Sequence, residues 1–238
     1  MKLALLIDAD NAQASMINNV LDEVSKYGNA SVKRIYGDWT TPHMKSWKSM
    51  LLDHSIQPIQ QFAYTTGKNA TDSAMIIDAM DLLYTGNFDG FCIVSSDSDF
   101  TRLAARLKES GKIVYGFGEQ KTPKAFINAC DKFIHTEVLK EGFDDYDAAM
   151  ARHVIKLKSN QVLIGTLRKA IRFCMDEGGW ANLGKVSQKL TQLFPDFDTR
   201  LYGYDKLGDL FGAIDLFEIR DHASKNAGKR SFYVRLRK

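Results

Sequence analysis

The stretch Leu3-Ala4-Leu5-Leu6-Ile7-Asp8-Ala9-Asp10-Asn11 decides how this chain is read. Five apolar residues run without a break into an aspartate. So short and uniform a run suits a strand buried on both faces, as in a parallel sheet. The pattern recurs along the chain. Val32 to Tyr36 stops at Gly37-Asp38, Phe91 to Val94 stops at Ser95-Ser96-Asp97, and Ile113 to Phe117 stops at Gly118. Ile56 to Phe62 is also strand-like, and Pro58 argues for an edge position because it has no N–H for a ladder.

Helical spacing fills the gaps. Met16, Ile17, Val20, Leu21 and Val24 step along one face and stop near Gly28-Asn29. Met44, Trp47, Met50 and Leu51 do the same after Pro42. Thr71 stands where it could cap a helix carrying Met75, Ile76, Ala79, Leu82 and Leu83. Phe100, Leu103, Ala104 and Leu107 form a further helix that ends at Gly111. Strands alternating with helices predict an α/β domain over residues 1–140, with a mostly parallel sheet flanked by helices.

Composition agrees with a packed protein of one or two domains: 238 residues, 45% hydrophobic, 11% aromatic and 26% charged. No run of apolar residues is long enough to span a membrane. Met1 to Ile7 lacks the apolar core and cleavage site of a signal peptide. Cys92, Cys130 and Cys174 are isolated among apolar neighbours, which fits buried thiols in a reducing cytoplasm. His43, His54, His135, His153 and His222 show no zinc-ligand spacing, so no structural zinc site is expected.

Residues 141–158 change character. Glu141-Gly142-Phe143-Asp144-Asp145-Tyr146-Asp147 is acidic and aperiodic, and reads as a linker. Residues 159–238 then form a second domain. Val162, Leu163, Leu167, Ile171 and Met175 suggest one helix, Leu183, Val186, Leu190 and Leu193 a second, and Tyr204 to Phe211 a third. Strand-like Leu216 to Arg220 and Ser231 to Leu236 follow, with Gly228-Lys229 placed to turn between them. Three helices and a β-hairpin outline a small winged helix-turn-helix-like α+β domain.

The whole-chain net charge of +3 averages two unlike parts. Residues 1–140 hold 15 basic and 16 acidic residues, net −1, whereas residues 159–238 hold 14 and 9, net +5. Lys225, Lys229, Arg230, Arg235, Arg237 and Lys238 cluster toward the end of the chain. Such a cluster can supply salt-sensitive contacts to phosphates. Trp180, Tyr202 and Tyr204 could stack on unpaired bases, or simply pack the helices.

In an open α/β sheet, ligands bind beyond the carboxyl ends of the strands, at a switch in strand order. If the first and fourth apolar strands are neighbours, Asp8, Asp97 and Asp99 converge there, and Asp72 can point in from its helix. Single aspartates often cap helices, but this set would repel unless a cation lay among them. Oxygen-only ligands favour Mg²⁺ or Mn²⁺, which could orient a water and offset charge on a phosphodiester. Asn11 offers a neutral amide to water or phosphate, and Lys68 sits on a loop from which it could reach a phosphate. Asp78 and Asp81, further along the helix, read as structural or solvated.

These residues carry a resemblance. Leu-Leu-Ile-Asp8-Ala-Asp10-Asn11, Lys68-Asn-Ala-Thr-Asp72 and Val94-Ser-Ser-Asp97-Ser-Asp99-Phe100 resemble the NYN domain of the PIN-like nuclease superfamily. Thr122-Pro-Lys-Ala-Phe126 through Asp131-Lys-Phe133-Ile looks like its bacterial LabA-like branch. The resemblance implies a PIN-like fold and metal-dependent cleavage of RNA. It places Asp8, Asp72, Asp97 and Asp99 at the metal, Asp8 and Asp97 foremost, with Asn11 beside them. Gly178-Gly179-Trp180-Ala-Asn-Leu183-Gly184 and Phe197-Asp198-Thr-Arg200-Leu-Tyr202-Gly203-Tyr204-Asp-Lys206-Leu207 are similar to an OST-HTH (LOTUS) domain. That family implies RNA binding and recruitment of a protein partner. With it, Trp180, Arg200, Tyr202, Tyr204, Lys206, Lys229, Arg230 and Arg235 become candidate contacts to single-stranded RNA.

The expectation is therefore a cytoplasmic endoribonuclease with its own RNA-binding domain. Two alternatives stand beside it. One is a regulatory module that binds RNA or protein and keeps an inert acidic pocket. The other is a phosphatase of the haloacid dehalogenase type, since Asp8-Ala9-Asp10 imitates that family's strand-end Asp-x-Asp.

Overall fold

The structure is a computed structural model and describes residues 1–62, 70–139, 157, 159–223 and 230–237. The chain divides into two compact units, residues 1–140 and 141–238. Within the described residues no helix is long and apolar enough to cross a membrane.

The first unit is a six-stranded parallel sheet between two layers of helices. Its strands are β1 (Lys2–Asp8), β2 (Asn29–Gly37), β3 (Gln57–Gln60), β4 (Gly90–Val94), β5 (Ile113–Gly118) and β6 (Lys132–His135). They lie in the order β3-β2-β1-β4-β5-β6. The short β3 is an edge strand, and Pro58 in it pairs with Ile35. The run at Lys132–His135, with the helix before it, adds a sixth strand that the periodicity did not reveal. Its four residues are too few to show a period.

Five helices cover the sheet: α1 (Ile17–Ser25), α2 (Lys45–Asp53), α3 (Ala70–Thr85), α4 (Thr101–Glu109) and α5 (Lys124–Ala129). Side chains alternate across β1. Leu3, Leu5 and Ile7 face Ile17, Val20 and Trp47 of α1 and α2. Ala4 and Leu6 face Met75, Ala79, Leu103 and Phe126 of α3, α4 and α5. The same alternation runs through β4, where Phe91 and Ile93 join the α3 side and Cys92 and Val94 the α1 side. Both faces of the central strands are apolar, which is why they read as continuous runs. Burial pushes the thiols of Cys92 and Cys130 up to about 12, while Cys174 is only half-buried. Asp78 is a structural residue: it accepts hydrogen bonds from Arg34 and from the hydroxyl of buried Tyr36.

The second unit holds helices α6 (Gln161–Cys174), α7 (Leu183–Leu193) and α8 (Leu207–Ala213). Its antiparallel sheet joins β7 (Ala181–Asn182), β8 (Phe217–Ala223) and β9 (Arg230–Leu236) in the order β7-β9-β8. Asn160 caps α6 through Leu163 N, and Asn182 caps α7 through Gly184 N and Lys185 N. The third helix starts later than its apolar spacing suggests. A 3-10 turn, Thr199–Tyr202, comes first and ends at Gly203, whose φ of +76° needs a residue without a side chain. Leu167, Ile171, Val186, Leu190, Phe211 and Val234 form the core. Leu157, within the span 141–158 expected as a linker, belongs to it as well. The rest of that linker and the Gly228-Lys229 turn lie outside the described residues.

At Gly118 the first unit has no room for a side chain. A Cβ there would stand 2.5 Å from the Ser95 carbonyl oxygen and 2.8 Å from Thr122 Oγ1. Gly118→Ala is expected to lower stability by about 1–3 kcal/mol, read by urea unfolding.

Candidate active site

Strand order reverses between β1 and β4, which pair in parallel from Leu3–Gly90 to Ile7–Val94. One crossover leaves β1 toward β2 and the other leaves β4 toward β5, so a crevice opens past their carboxyl ends. Asp8 closes β1, and its even position directs it to the α3 face, as with Ala4 and Leu6. Ser95 follows β4 on that same face by the same alternation. The two meet: Ser95 Oγ donates to Asp8 Oδ2 at 2.7 Å.

Asp8 is almost wholly buried, and three donors hold it. Besides Ser95, Asn11 Nδ2 donates to Oδ2 at 2.8 Å and the Asp10 amide donates to Oδ1 at 3.1 Å. Burial raises its carboxyl above the ordinary value, and these hydrogen bonds pull the other way. Ser95 Oγ also accepts the Asp97 amide at 3.0 Å. One hydroxyl thus ties the end of β1 to the loop after β4. Sequence reading passed over Ser95; its signal was that it occupies the first position beyond β4, in step with Asp8 across the ladder. Asn11 was expected to face water or phosphate, but its amide nitrogen is engaged by Asp8.

Asp97 opens the 3-10 turn Ser98–Phe100 and accepts the Asp99 amide at 2.9 Å. Asp72 lies in the first turn of α3, which returns from edge strand β3 to the middle of the sheet. Asp72, Asp97 and Asp99 each place a carboxylate oxygen within 4.8 Å of the others. Asp8 is outside that set of three, yet close enough to act on it. Burial, then the charges of Asp8, Asp97, Asp99 and Asp10, push the Asp72 carboxyl up to about 6. Asp72 and Asp97 are half-buried and Asp99 is exposed, so the cluster opens to solvent.

A divalent cation suits this donor set. The groups are all carboxylate oxygens, they converge, and burial together with the neighbouring negative charges disfavours the ionised form of Asp72. Hard cations such as Mg²⁺ and Mn²⁺ take such ligands.

The second unit treats its expected contacts unevenly. Arg200 is bound to Asp198 through Nε at 3.0 Å and NH2 at 2.6 Å, so its charge is matched within the domain. The Tyr202 ring packs on Phe197 with centres 6.0 Å apart, and Tyr204 lies half-buried against the same core. The packing alternative describes these two rings. Lys206 is exposed before α8. Trp180 and Arg235 lie together beside the small sheet. Lys68, Lys229 and the Arg230 side chain lie outside the described residues.

The first unit is thus a parallel sheet with an acidic crevice at its switch point. The chain belongs to the NYN domain family, whose model matches residues 2–139. The OST-HTH/LOTUS domain model matches residues 157–227. An uncharacterized protein of Methanocaldococcus jannaschii is 28% identical over 125 residues, 50% of this chain and 48% of that protein. The chain thus spans about half the length of the curated relative it matches. A protein of unknown function from Vibrio parahaemolyticus has a crystal structure that matches 56% of this chain and 90% of its own. The TM-score is 0.47 and the identity 19%. A solution structure of an uncharacterized Nitrosomonas europaea protein matches 31% of this chain and 70% of its own, at 39% identity and TM-score 0.29.

The raised Asp72 carboxyl has a defined sign in pH. Between 3.8, the ordinary value, and about 6, the folded protein binds a proton there that the unfolded chain has lost. Metal-free stability contributed by this group therefore falls as pH rises across that window. Asp72→Asn should melt higher than the parent at pH 7 without metal, and the gap should close toward pH 4. Thermal melts of both proteins with EDTA check this. Ser95→Ala strips Asp8 and the Asp97 amide of a shared partner, and should cost about 1–3 kcal/mol in urea unfolding.

Proposed function

We propose that the chain is a metal-dependent endoribonuclease whose second domain holds single-stranded RNA. The observation that carries this reading is the convergence of Asp72, Asp97 and Asp99 within 4.8 Å, beside buried Asp8, at the switch point of the sheet. Asp72, Asp97 and Asp99 would hold Mg²⁺ or Mn²⁺, and Asp8, expected among the ligands, would stand beside them, held by its hydrogen bonds. The ion, when bound, offsets charge on the phosphodiester and makes a water more acidic. Asp8 cannot swing freely, because Ser95, Asn11 and the Asp10 amide fix both its oxygens. Asp72 gives up its proton more readily once a cation stands near it. Arg102, exposed on α4 three residues past Asp99, would meet a phosphate of the RNA.

Asp8 does not suit the phosphatase reading. A carboxylate that attacks phosphorus needs an accessible oxygen, and both oxygens of Asp8 are buried and hydrogen-bonded. A protein partner at the second domain is compatible with the nuclease reading. A binding protein with an inert pocket is what remains if no metal and no RNA give turnover. A cytoplasmic site of action goes with an RNA substrate.

The test uses the purified full chain, a fluorescent single-stranded RNA, and Mg²⁺ or Mn²⁺. Internal cleavage is expected, with EDTA abolishing it. Asp97→Asn should slow it by about two orders of magnitude or more, as loss of an electrostatic group at a reacting centre does. Cleavage that persists in EDTA, or at the parent rate in Asp97→Asn, would overturn the assignment.

A further inference from the structure

The small sheet of the second domain has two unlike faces. Register sets Ala181 opposite Val234 and Phe217 opposite Leu236. Ala181, Val234 and Phe217 are buried against the helices. Side chains alternate, so Tyr233, Arg235, Glu218 and Arg220 occupy the outer face, and Trp180 joins them from just before β7. Both guanidinium groups stand over the indole there. Arg220 Cζ is 4.7 Å and Arg235 Cζ 4.4 Å from the ring centre.

The two arginines are not equivalent. Arg235 is clamped by Glu218, whose Oε2 lies 2.7 Å from both Nε and NH2. Its charge is matched and its plane is fixed. Arg220 is exposed and has no carboxylate partner among the described residues. The face therefore offers an indole layered with guanidinium planes, one of them already ordered, and in Arg220 a positive charge with no carboxylate partner among the described residues. By contrast, Arg200 is neutralised by Asp198, and Tyr202 and Tyr204 are spent on packing.

We propose that RNA binds the outer face of this sheet, with an unpaired base stacked on the Trp180–arginine layer and a phosphate on Arg220. This rests on the RNA-binding reading above and assigns it a surface. The chemistry selects the occupant. A stacking platform needs a base whose face is open, and a duplex keeps its bases covered by their neighbours. An exposed arginine beside that platform needs an anion one backbone step away. A single strand supplies both at the right scale, and an acidic peptide supplies only the charge.

The test measures fluorescence anisotropy of a labelled 12-mer oligouridylate with the full chain carrying Asp97→Asn, so that the probe stays intact. Trp180→Ala should weaken binding about 10-fold or more, and Trp180→Phe should recover most of it. Arg220→Ala should weaken binding several-fold and lower the slope of log affinity against log salt by about one. An abasic 12-mer should bind the parent no better than uridylate binds Trp180→Ala. Arg220→Ala changes an exposed position, so it decides the matter even if Trp180→Ala does not fold. Folded variants that bind uridylate as the parent does would overturn the proposal, leaving RNA binding to another surface. Equal affinity for blunt double-stranded RNA or for the abasic strand would overturn the stacking. A parent chain that binds no RNA would remove the underlying reading along with it.

Discussion

Repulsion among carboxylates is the constraint around which the first domain is organised. The order of the strands leaves a crevice between β1 and β4, and four aspartates are delivered to it from three separate segments. In an apolar domain such a gathering is tolerated only with compensation. At Asp8 the compensation is permanent, in the form of three hydrogen bonds to a buried carboxylate. At Asp72 it is not: the carboxyl is pushed up to about 6 and waits for a proton or a cation. Metal binding to such a site is also folding free energy, since the unfolded chain has no equivalent site.

Ser95 makes the arrangement rigid. Its hydroxyl gives its hydrogen to Asp8 and receives the Asp97 amide, and its own amide is bonded to Phe117 on β5. Three neighbouring strands therefore share one anchor at the mouth of the crevice. Gly118 lies so close to the Ser95 carbonyl that no side chain fits between them. The apolar layers on either side set the strand spacing, and this small polar knot sets where the charges stand.

Much of this was legible because the physics is local. A strand buried on both faces must be continuously apolar, so β1 and β4 announce themselves, and the aspartates at or just beyond their ends gather on one side of the sheet. Pro58 marked an edge strand for an equally simple reason. What stayed hidden was tertiary. Nothing in a four-residue run at Lys132 distinguishes a strand from a loop until β5 is beside it. An amide such as that of Asn11 looks available until a buried carboxylate claims it. Tyr202 and Tyr204 could stack on a base or on Phe197, and only the fold of the 3-10 turn chooses. Trp180 is the reverse case: its arginine neighbours, Arg220 and Arg235, come from strands some forty residues or more away along the chain.

Edge strand β3 carries one more consequence. It is four residues long, three of them exposed, and reads Gln-Pro-Ile-Gln. Open sheet edges invite growth by addition of another strand, and short length with a proline discourages it. A growing fibril would find a poor template on this side of the first domain. The protein can thus keep an open sheet without that border becoming a site of aggregation.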